Sequence, residues 1–372
     1  MSDDGWTSAT APHEQPRTFP CDGCGASLTF KPGTDALECP HCGHRQVIAS
    51  GERVIEEYDF RDALRRARTS APAALASGGK SVRCEGCGAE TVITGQSAHC
   101  AFCGAPVVLV QERDAAIFVP DSVLPFKIDA RAAKERFDAW VRSRWFAPGD
   151  LSKRARAQGL DGVYLPYWTY DSRTSTRYSG QRGEHYYVSE SYKDAEGKTQ
   201  TRQVQRTRWY PASGVVSVDF DDVLVCASES LPLKLIEALE PWDLRELRPY
   251  DPGFLSGFVT ERYKLGLEAG FRRAEERMSP QIEATIRRDI GGDEQRISGM
   301  VVHHEGVTFK HCLLPLWITS FRYHEKIFRV TVNARTGGIA GERPYSAVKI
   351  ASLVILLIAV VVGIVFLTRG SR

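Results

Sequence analysis

The sequence has almost no net charge: 48 basic residues stand against 46 acidic ones in 372, a formal +2. That balance excludes a polybasic nucleic-acid arm and a highly charged disordered chain. There is no apolar run near the start, where MSDDGWTSATAPHEQPRTF carries three acids before its first Arg. Nothing there reads as a secretion signal, and the bulk of the chain is expected in the cytoplasm. A catalytic constellation is missing too. His303-His304-Glu305 falls on a predicted strand, where neighbouring side chains face opposite ways and do not easily share a metal. Asp219, Asp221 and Asp222 crowd a strand end, where turn-forming residues gather. The segment ALASGGKS (74–81) imitates a phosphate-binding loop, but Ala replaces its first Gly, and it runs into a cysteine motif instead of a helix. Neither an enzyme activity nor a small-molecule substrate is expected.

Cysteine is plentiful, and its pattern carries the chemistry. Eight of the ten cysteines form four Cys-x-x-Cys pairs: Cys21/Cys24, Cys39/Cys42, Cys84/Cys87 and Cys100/Cys103. Each pair is followed by glycine, in CDGCG, CPHCG, CEGCG and CAFCG, with fourteen residues between the first two pairs and twelve between the last two. A knuckle of this kind brings two thiolates to one metal, and a residue free to take φ > 0 completes the turn. In a reducing compartment such pairs predict metal rather than disulfides. Two tandem zinc ribbons are therefore expected, holding two structural zinc ions. Four thiolates per ion leave no position for water or substrate. His41, His44 and His99 lie beside the knuckles as surface or outer residues. Cys226 and Cys312, in apolar surroundings, are expected to be buried small hydrophobes.

The fold class expected is α+β: two small N-terminal ribbons, a middle domain of antiparallel sheet and helices, and one C-terminal transmembrane helix. The predicted units are a disordered stretch 1–18, ribbon one at 19–48, a helix at 52–70, a linker at 71–81 and ribbon two at 82–112. The α+β domain follows at 120–345. In it, Asp129 caps a helix whose apolar face is Phe137, Trp140, Val141 and Trp145. Strands are predicted for VYLPYWTYD, TSTRYSGQRGEHYYV, KTQTRQVQRTRWY and GVVSVDF, the central pair turning at 194–197. A helical stretch from about Val259 to Ile290 is broken at Ser279-Pro280, and ISGMVVHH, VTFKHCLLPLW, TSFRYHE and KIFRVTVNA follow as strands. Leu165-Pro166-Tyr167-Trp168 and Leu314-Pro315-Leu316-Trp317 echo one another, as two related halves would, with both tryptophans in the core. Arginines and aromatics interleave from Arg173 to Tyr210, a pattern that serves either strand alternation or nucleic-acid binding.

From Ile350 to Leu367 eighteen residues carry no charge, enough for roughly 27 Å of helix in a hydrocarbon layer of about 30 Å. Lys349 stands at one end and Arg369 and Arg372 at the other, in the short tail 368–372. The expected arrangement is a tail-anchored protein of the inner membrane, with its head in the cytoplasm and its tail across the bilayer.

LPFKID (124–129), RWFAPGDL (144–151), GVYLPYWTYD (162–171), EPWDLRELRPYDPGFLSGFVTERY (240–263) and LLPLWITSFRYHEKIFRVTVNARTGGIAGERP (313–344) carry a resemblance. With the four knuckles, they resemble a family of bacterial membrane-attached zinc-ribbon proteins. That family is often labelled primosomal protein N-prime, helicase-like, or transcription-factor-IIB-type zinc ribbon. A motor would need nucleotide-binding cores that this sequence does not contain. Some similar proteins are encoded beside membrane-stress proteins of the ESCRT-III-like and SPFH classes. The resemblance thus implies a non-catalytic adapter or scaffold that recruits membrane-associated proteins. The alternative is a membrane-tethered DNA- or RNA-binding protein using the ribbons.

Overall fold

The computed structural model describes residues 19–48, 54–69, 80–84, 87–93, 97–103, 105–108, 120–148, 159–193, 195, 197–323 and 326–370. Within them the protein is mixed α+β, with five α-helices and sheets of three, eleven and two strands. The expected stretch 1–18, most of the linker and the end of the tail lie outside the described residues.

The first cysteine unit contains β1 (Thr29–Phe30), β2 (Ala36–Glu38) and β3 (Arg45–Val47), which form their own antiparallel sheet. Then come β4 (Tyr58–Asp59) and α1 (Phe60–Thr69). The helix expected over 52–70 starts only at Phe60. Tyr58 and Asp59 instead pair with Phe309 and Thr308, and Asp59 Oδ1 accepts the Asp62 N–H at 2.8 Å, which caps the helix there. The second unit contributes β5 (Lys80–Arg83), β6 (Glu90–Ile93), β7 (Ser97–His99) and β8 (Pro106–Val108). Lys80 and Ser81 of the loop lookalike are therefore strand, not the start of a helix. After β9 (Ser122–Val123), Asp129 Oδ1 accepts from the Ala132 N–H at 2.7 Å and caps α2 (Ala130–Arg142). Phe137, Trp140 and Val141 are buried as expected, but the helix stops at Arg142 and Trp145 stands 71% exposed.

Three very long strands form the spine: β10 (Asp161–Lys193), β11 (Thr199–Cys226) and, after several shorter elements, β14 (Glu294–Tyr323). Between β11 and β14 lie α3 (Leu233–Glu237), β12 (Arg248–Pro249), β13 (Val259–Glu261) and α4 (Leu267–Ile290). β15 (Lys326–Asn333), β16 (Ile339–Gly341) and α5 (Ala347–Gly370) follow. The sequence pattern predicted seven shorter segments where three strands run through. Ser172-Arg173, Pro211 to Ser213 and Glu305-Gly306 separate the predicted segments, yet all lie inside strands. A Cβ on Gly180 would sit 2.2 Å from the Arg296 carbonyl oxygen, so glycine there permits close strand approach. Pro211 lies on β11, which pairs only with β10 among the described residues, and an edge strand tolerates a missing donor.

The break expected at Pro280 is likewise absent. α4 runs continuously because Ala274, Met278, Ile282, Ile286 and Ile290 bury one stripe at four-residue spacing across the proline. That stripe packs on Trp168, Tyr170, Tyr178, Val216 and Val218 of the spine. Five buried side chains, at roughly 1.5–3 kcal/mol each for those of Ile or Met size, outweigh the ~3 kcal/mol cost of an interior proline.

Side chains alternate across β10 and β14, and this alternation organises the body. Val163, Leu165 and Tyr167 with Cys312, Leu314 and Leu316 face a core that includes Cys84, Cys100 and Phe102 of the second cysteine unit. Tyr164, Leu313 and Trp317 face the other way, into a core with Cys21, Leu28, Phe30 and Cys39 of the first unit. The two Leu-Pro-x-Trp motifs lie directly opposite one another, Leu165 against Leu314. Both tryptophans are buried, and each Nε1–H donates to a main-chain carbonyl: Trp168 to Leu265 and Trp317 to Ile128, both at 2.8 Å.

Candidate metal centres and the apolar helix

The knuckles repeat one local geometry. The N–H of Cys21, Cys39, Cys84 and Cys100 donates to the carbonyl five residues on, at 2.7, 2.8, 2.8 and 2.8 Å. Gly25, Gly43 and Gly88 return an N–H to the first cysteine's carbonyl, and each has φ of +73°. Only glycine adopts that conformation freely, which is why it follows these pairs.

These turns collect the sulfurs into two groups, Cys21, Cys24, Cys39, Cys42 and Cys84, Cys87, Cys100, Cys103, each with all four sulfurs within 4.8 Å of one another. The nearest are Cys21 to Cys42 and Cys24 to Cys39 at 3.5 Å, Cys84 to Cys103 at 3.5 Å and Cys87 to Cys100 at 3.6 Å. A disulfide needs about 2.05 Å, and a tetrahedron of thiolates about 2.3 Å from a metal puts sulfurs roughly 3.8 Å apart. The donor set thus fits two metal ions. The main-chain N–H groups of Cys42 and His41 point at Cys39 and draw its thiol down to about 6. A hydrogen bond from Cys100, and the Ala89 N–H, draw Cys87 down to about 5. The proton is pushed onto their neighbours: Cys24 and Cys42 in the first group, and Cys100 and Cys103 in the second, are raised, so one thiolate per group forms most readily without a metal. His41 and His44 are exposed, and the side chain of His99 lies outside the described residues. Each unit shares its core with the body. Phe30 N–H donates to Ser256 O at 3.0 Å and Ser256 Oγ donates to Leu28 O at 2.7 Å in the first. In the second, Ser320 Oγ donates to Ala101 O at 3.1 Å, Arg329 Nε donates to Phe102 O at 2.8 Å, and β6 joins the main sheet through β13.

Asp171, Asp221 and Asp222 also converge, but a cation already sits with them. The Lys310 ammonium lies 2.8 Å from Asp222 and 3.0 Å from Glu57. Burial opposes that charge, and Asp222 and Glu57 outweigh it, holding Lys310 above its ordinary value. Burial raises Asp171 to about 6. Asp222, at φ +51°, gives its N–H to Asp171 Oδ1 at 2.6 Å across the register shift in the spine, so these acids shape a bulge. The Lys310 network was not read from the sequence, although a lysine inside the apolar strand VTFKHCLLPLW was its signal. His303 and His304 point apart: His303 is exposed and His304 Nδ1 lies 2.9 Å from Ser172 Oγ. Cys226 and Cys312 are buried, and burial pushes Cys226 up to about 12, which leaves it an inert thiol. A cavity of about 430 Å³ beside Cys226 has a paired rim, with Arg277 at 2.6 Å from Glu240 and Arg273 at 3.9 Å from Glu229.

α5 is long and apolar enough to cross a membrane over Ala347–Ile364, with mean hydropathy 2.8 and none of that span buried. Its first turn is tied to the body. Ser346 N–H donates to Phe146 O at 2.8 Å, and Lys349 Nζ donates to Trp145 O at 2.9 Å and Ala147 O at 2.8 Å.

No family model matches the chain, and no solved structure matches it. It is similar to the Bacillus subtilis (strain 168) protein YdjG, described as uncharacterized. The two are 26% identical over 340 residues, which cover 90% of this chain and 92% of that relative.

Proposed function

We propose that the protein is a membrane-anchored, non-catalytic adapter whose two four-cysteine centres are zinc ribbons holding structural zinc, and whose head recruits protein partners to the bilayer. The observation that carries this reading is the far end of the spine. β14 ends at Glu294 opposite Gly183, while β10 and β11 continue paired from Glu184 to Lys193 and from Thr199 to Arg208. Ten residues per strand make a two-stranded arm roughly 33 Å long, with no third strand beside it among the described residues and with Tyr187 and Tyr192 exposed at 66% and 44%. Open edges are surfaces to which another chain adds a strand. All-thiolate centres, with no open coordination position, support a structural role for the metal. The thiol-rich head supports a cytoplasmic location at the inner membrane, whereas the flanking cations, Arg343 and Lys349 against Arg369 and Arg372, are too balanced to set the orientation.

The arginines of the arm do not favour the nucleic-acid reading. Arg206 lies 2.5 Å and Arg202 3.6 Å from Glu190, while Arg208 covers the Tyr186 ring. The test is cross-linking of the N-terminally tagged protein in cells, extraction in mild detergent and identification of what co-purifies, with and without nuclease. A discrete set of membrane-associated proteins that survives nuclease is the expected result. Loss of every partner on nuclease, with DNA or RNA recovered, would replace the adapter by the nucleic-acid reading.

A further inference from the structure

The body side of α5 carries surface that a water-soluble head has no use for. Trp140, Trp168, Trp242 and Trp317 are at most 8% exposed, whereas Trp145 is 71% exposed. Tyr345 is 61% and Val348 75% exposed. Sequence places Trp145 and Lys349 about two hundred residues apart, yet the lysine ammonium is bonded to the Trp145 carbonyl, so Trp145, Tyr345 and Val348 ring the root of the apolar helix. Cations interleave with them. Arg144 stacks on Trp140 at 4.9 Å, and Arg343 on Tyr345 at 5.2 Å. Neither is ion-paired among the described residues, and the adjacent carboxylate, Glu342, turns inward to accept the Arg329 N–H at 3.2 Å.

Amphipathic aromatics sit preferentially at headgroup level, and arginines there are drawn to anionic lipid. We infer that Arg144, Trp145, Arg343, Tyr345, Val348 and Lys349 form a collar that seats the head on the membrane surface, in contact with anionic lipid headgroups. The inference rests on the reading of α5 as a membrane-spanning helix. The occupant follows from continuity: the collar is the last surface of the body before a helix none of whose spanning portion is buried. The head is thereby held against the bilayer, not suspended above it on a leash.

The full chain would be reconstituted in vesicles of phosphatidylcholine with or without phosphatidylglycerol, each in a form brominated near the headgroup, and tryptophan emission read. Wild type should be quenched, and Trp145→Phe, at an exposed site, should lose most of that quenching while keeping both metals. Brominated phosphatidylglycerol should quench wild type more than brominated phosphatidylcholine, and R144Q/R343Q should lose that preference, roughly fivefold per arginine removed. Alkaline carbonate extraction of the same vesicles separates the two ideas. A chain retained in the bilayer with Trp145→Phe quenched like wild type overturns the collar alone, and an unchanged lipid preference in R144Q/R343Q overturns its choice of anionic headgroups. A chain washed off by carbonate overturns the spanning helix and the collar with it.

Discussion

The two metal centres are built from the same knuckle and serve the body differently. In the first, Cys24 and Cys42 are exposed, its three strands form a separate sheet, and it meets the body through a core with Cys21, Leu28, Phe30, Leu37, Cys39 and Ile48. In the second, Cys84 and Cys100 are buried, Cys87 and Cys103 are half-buried, and its strands β5 and β6 continue the eleven-stranded sheet. Phe102, between two ligands of that second centre, is wholly buried against the spine. Local sequence dictates the chemistry of a knuckle, and the surface it meets decides whether its metal holds one small unit or the whole body.

The largest expected difference is between paired knockouts. Replacing Cys84 and Cys87 by Ser should release one metal and destabilise the entire head by several kcal/mol, since structural zinc contributes about 10–16 kcal/mol in small domains. Replacing Cys24 and Cys42 should also release one metal but leave the main unfolding transition in place. Metal analysis with thermal unfolding checks both, and equal losses of stability would break the comparison. Next in size, Phe102→Ala should cost about 3–5 kcal/mol, whereas Val47→Ala on β3, 75% exposed, should change stability by less than about 0.5 kcal/mol. Denaturant titration of each variant reads that contrast. A thiol-competing chelator should strip the metals in two phases, the faster from the first centre because two of its cysteines are exposed. A single phase in a chromogenic chelator assay would mean that burial does not govern release.

The smallest effect concerns Asp121, which precedes β9 and faces His311 of β14. Burial raises its carboxyl from 3.8 to about 6, partly opposed by the His311 N–H that it accepts. The folded state then binds more protons than the unfolded between about pH 4 and 6, so this group's contribution falls as pH rises through that window. At about 1.4 kcal/mol per unit and with partial solvent contact, Asp121→Asn should gain roughly 1–2 kcal/mol over wild type at pH 7 and little near pH 4. Urea unfolding of both proteins across that range measures the difference, with zinc present throughout.

What was legible in the sequence was local. Cys-x-x-Cys-Gly encodes its own turn, and eighteen uncharged residues encode a helix whatever surrounds them. The continuity of the spine was not legible, because Pro211 and Gly306 signal turns by their own preferences and become strand only when β11 and β14 pair with β10 around them. Pro280 fails as a helix breaker for the same reason, since the buried stripe on either side of it outweighs one lost hydrogen bond. Trp145 shows the converse. Its spacing from Phe137 and Trp140 places it on the apolar face of α2, but the chain leaves the helix at Ser143 and carries the ring away from the core. How far the cysteine units are merged with the body was equally invisible, because Phe30 and Phe102 meet partners hundreds of residues away.

That separation bears on biosynthesis. Leu28 and the Ser256 hydroxyl that holds it are 228 residues apart. At roughly 5–20 residues per second, about ten to fifty seconds of translation pass between them. The first unit can close its short thiolate loop long before its docking surface exists. A metal that this group binds would therefore be captured early, at the ribosome, and Phe30 would be sealed against the body late.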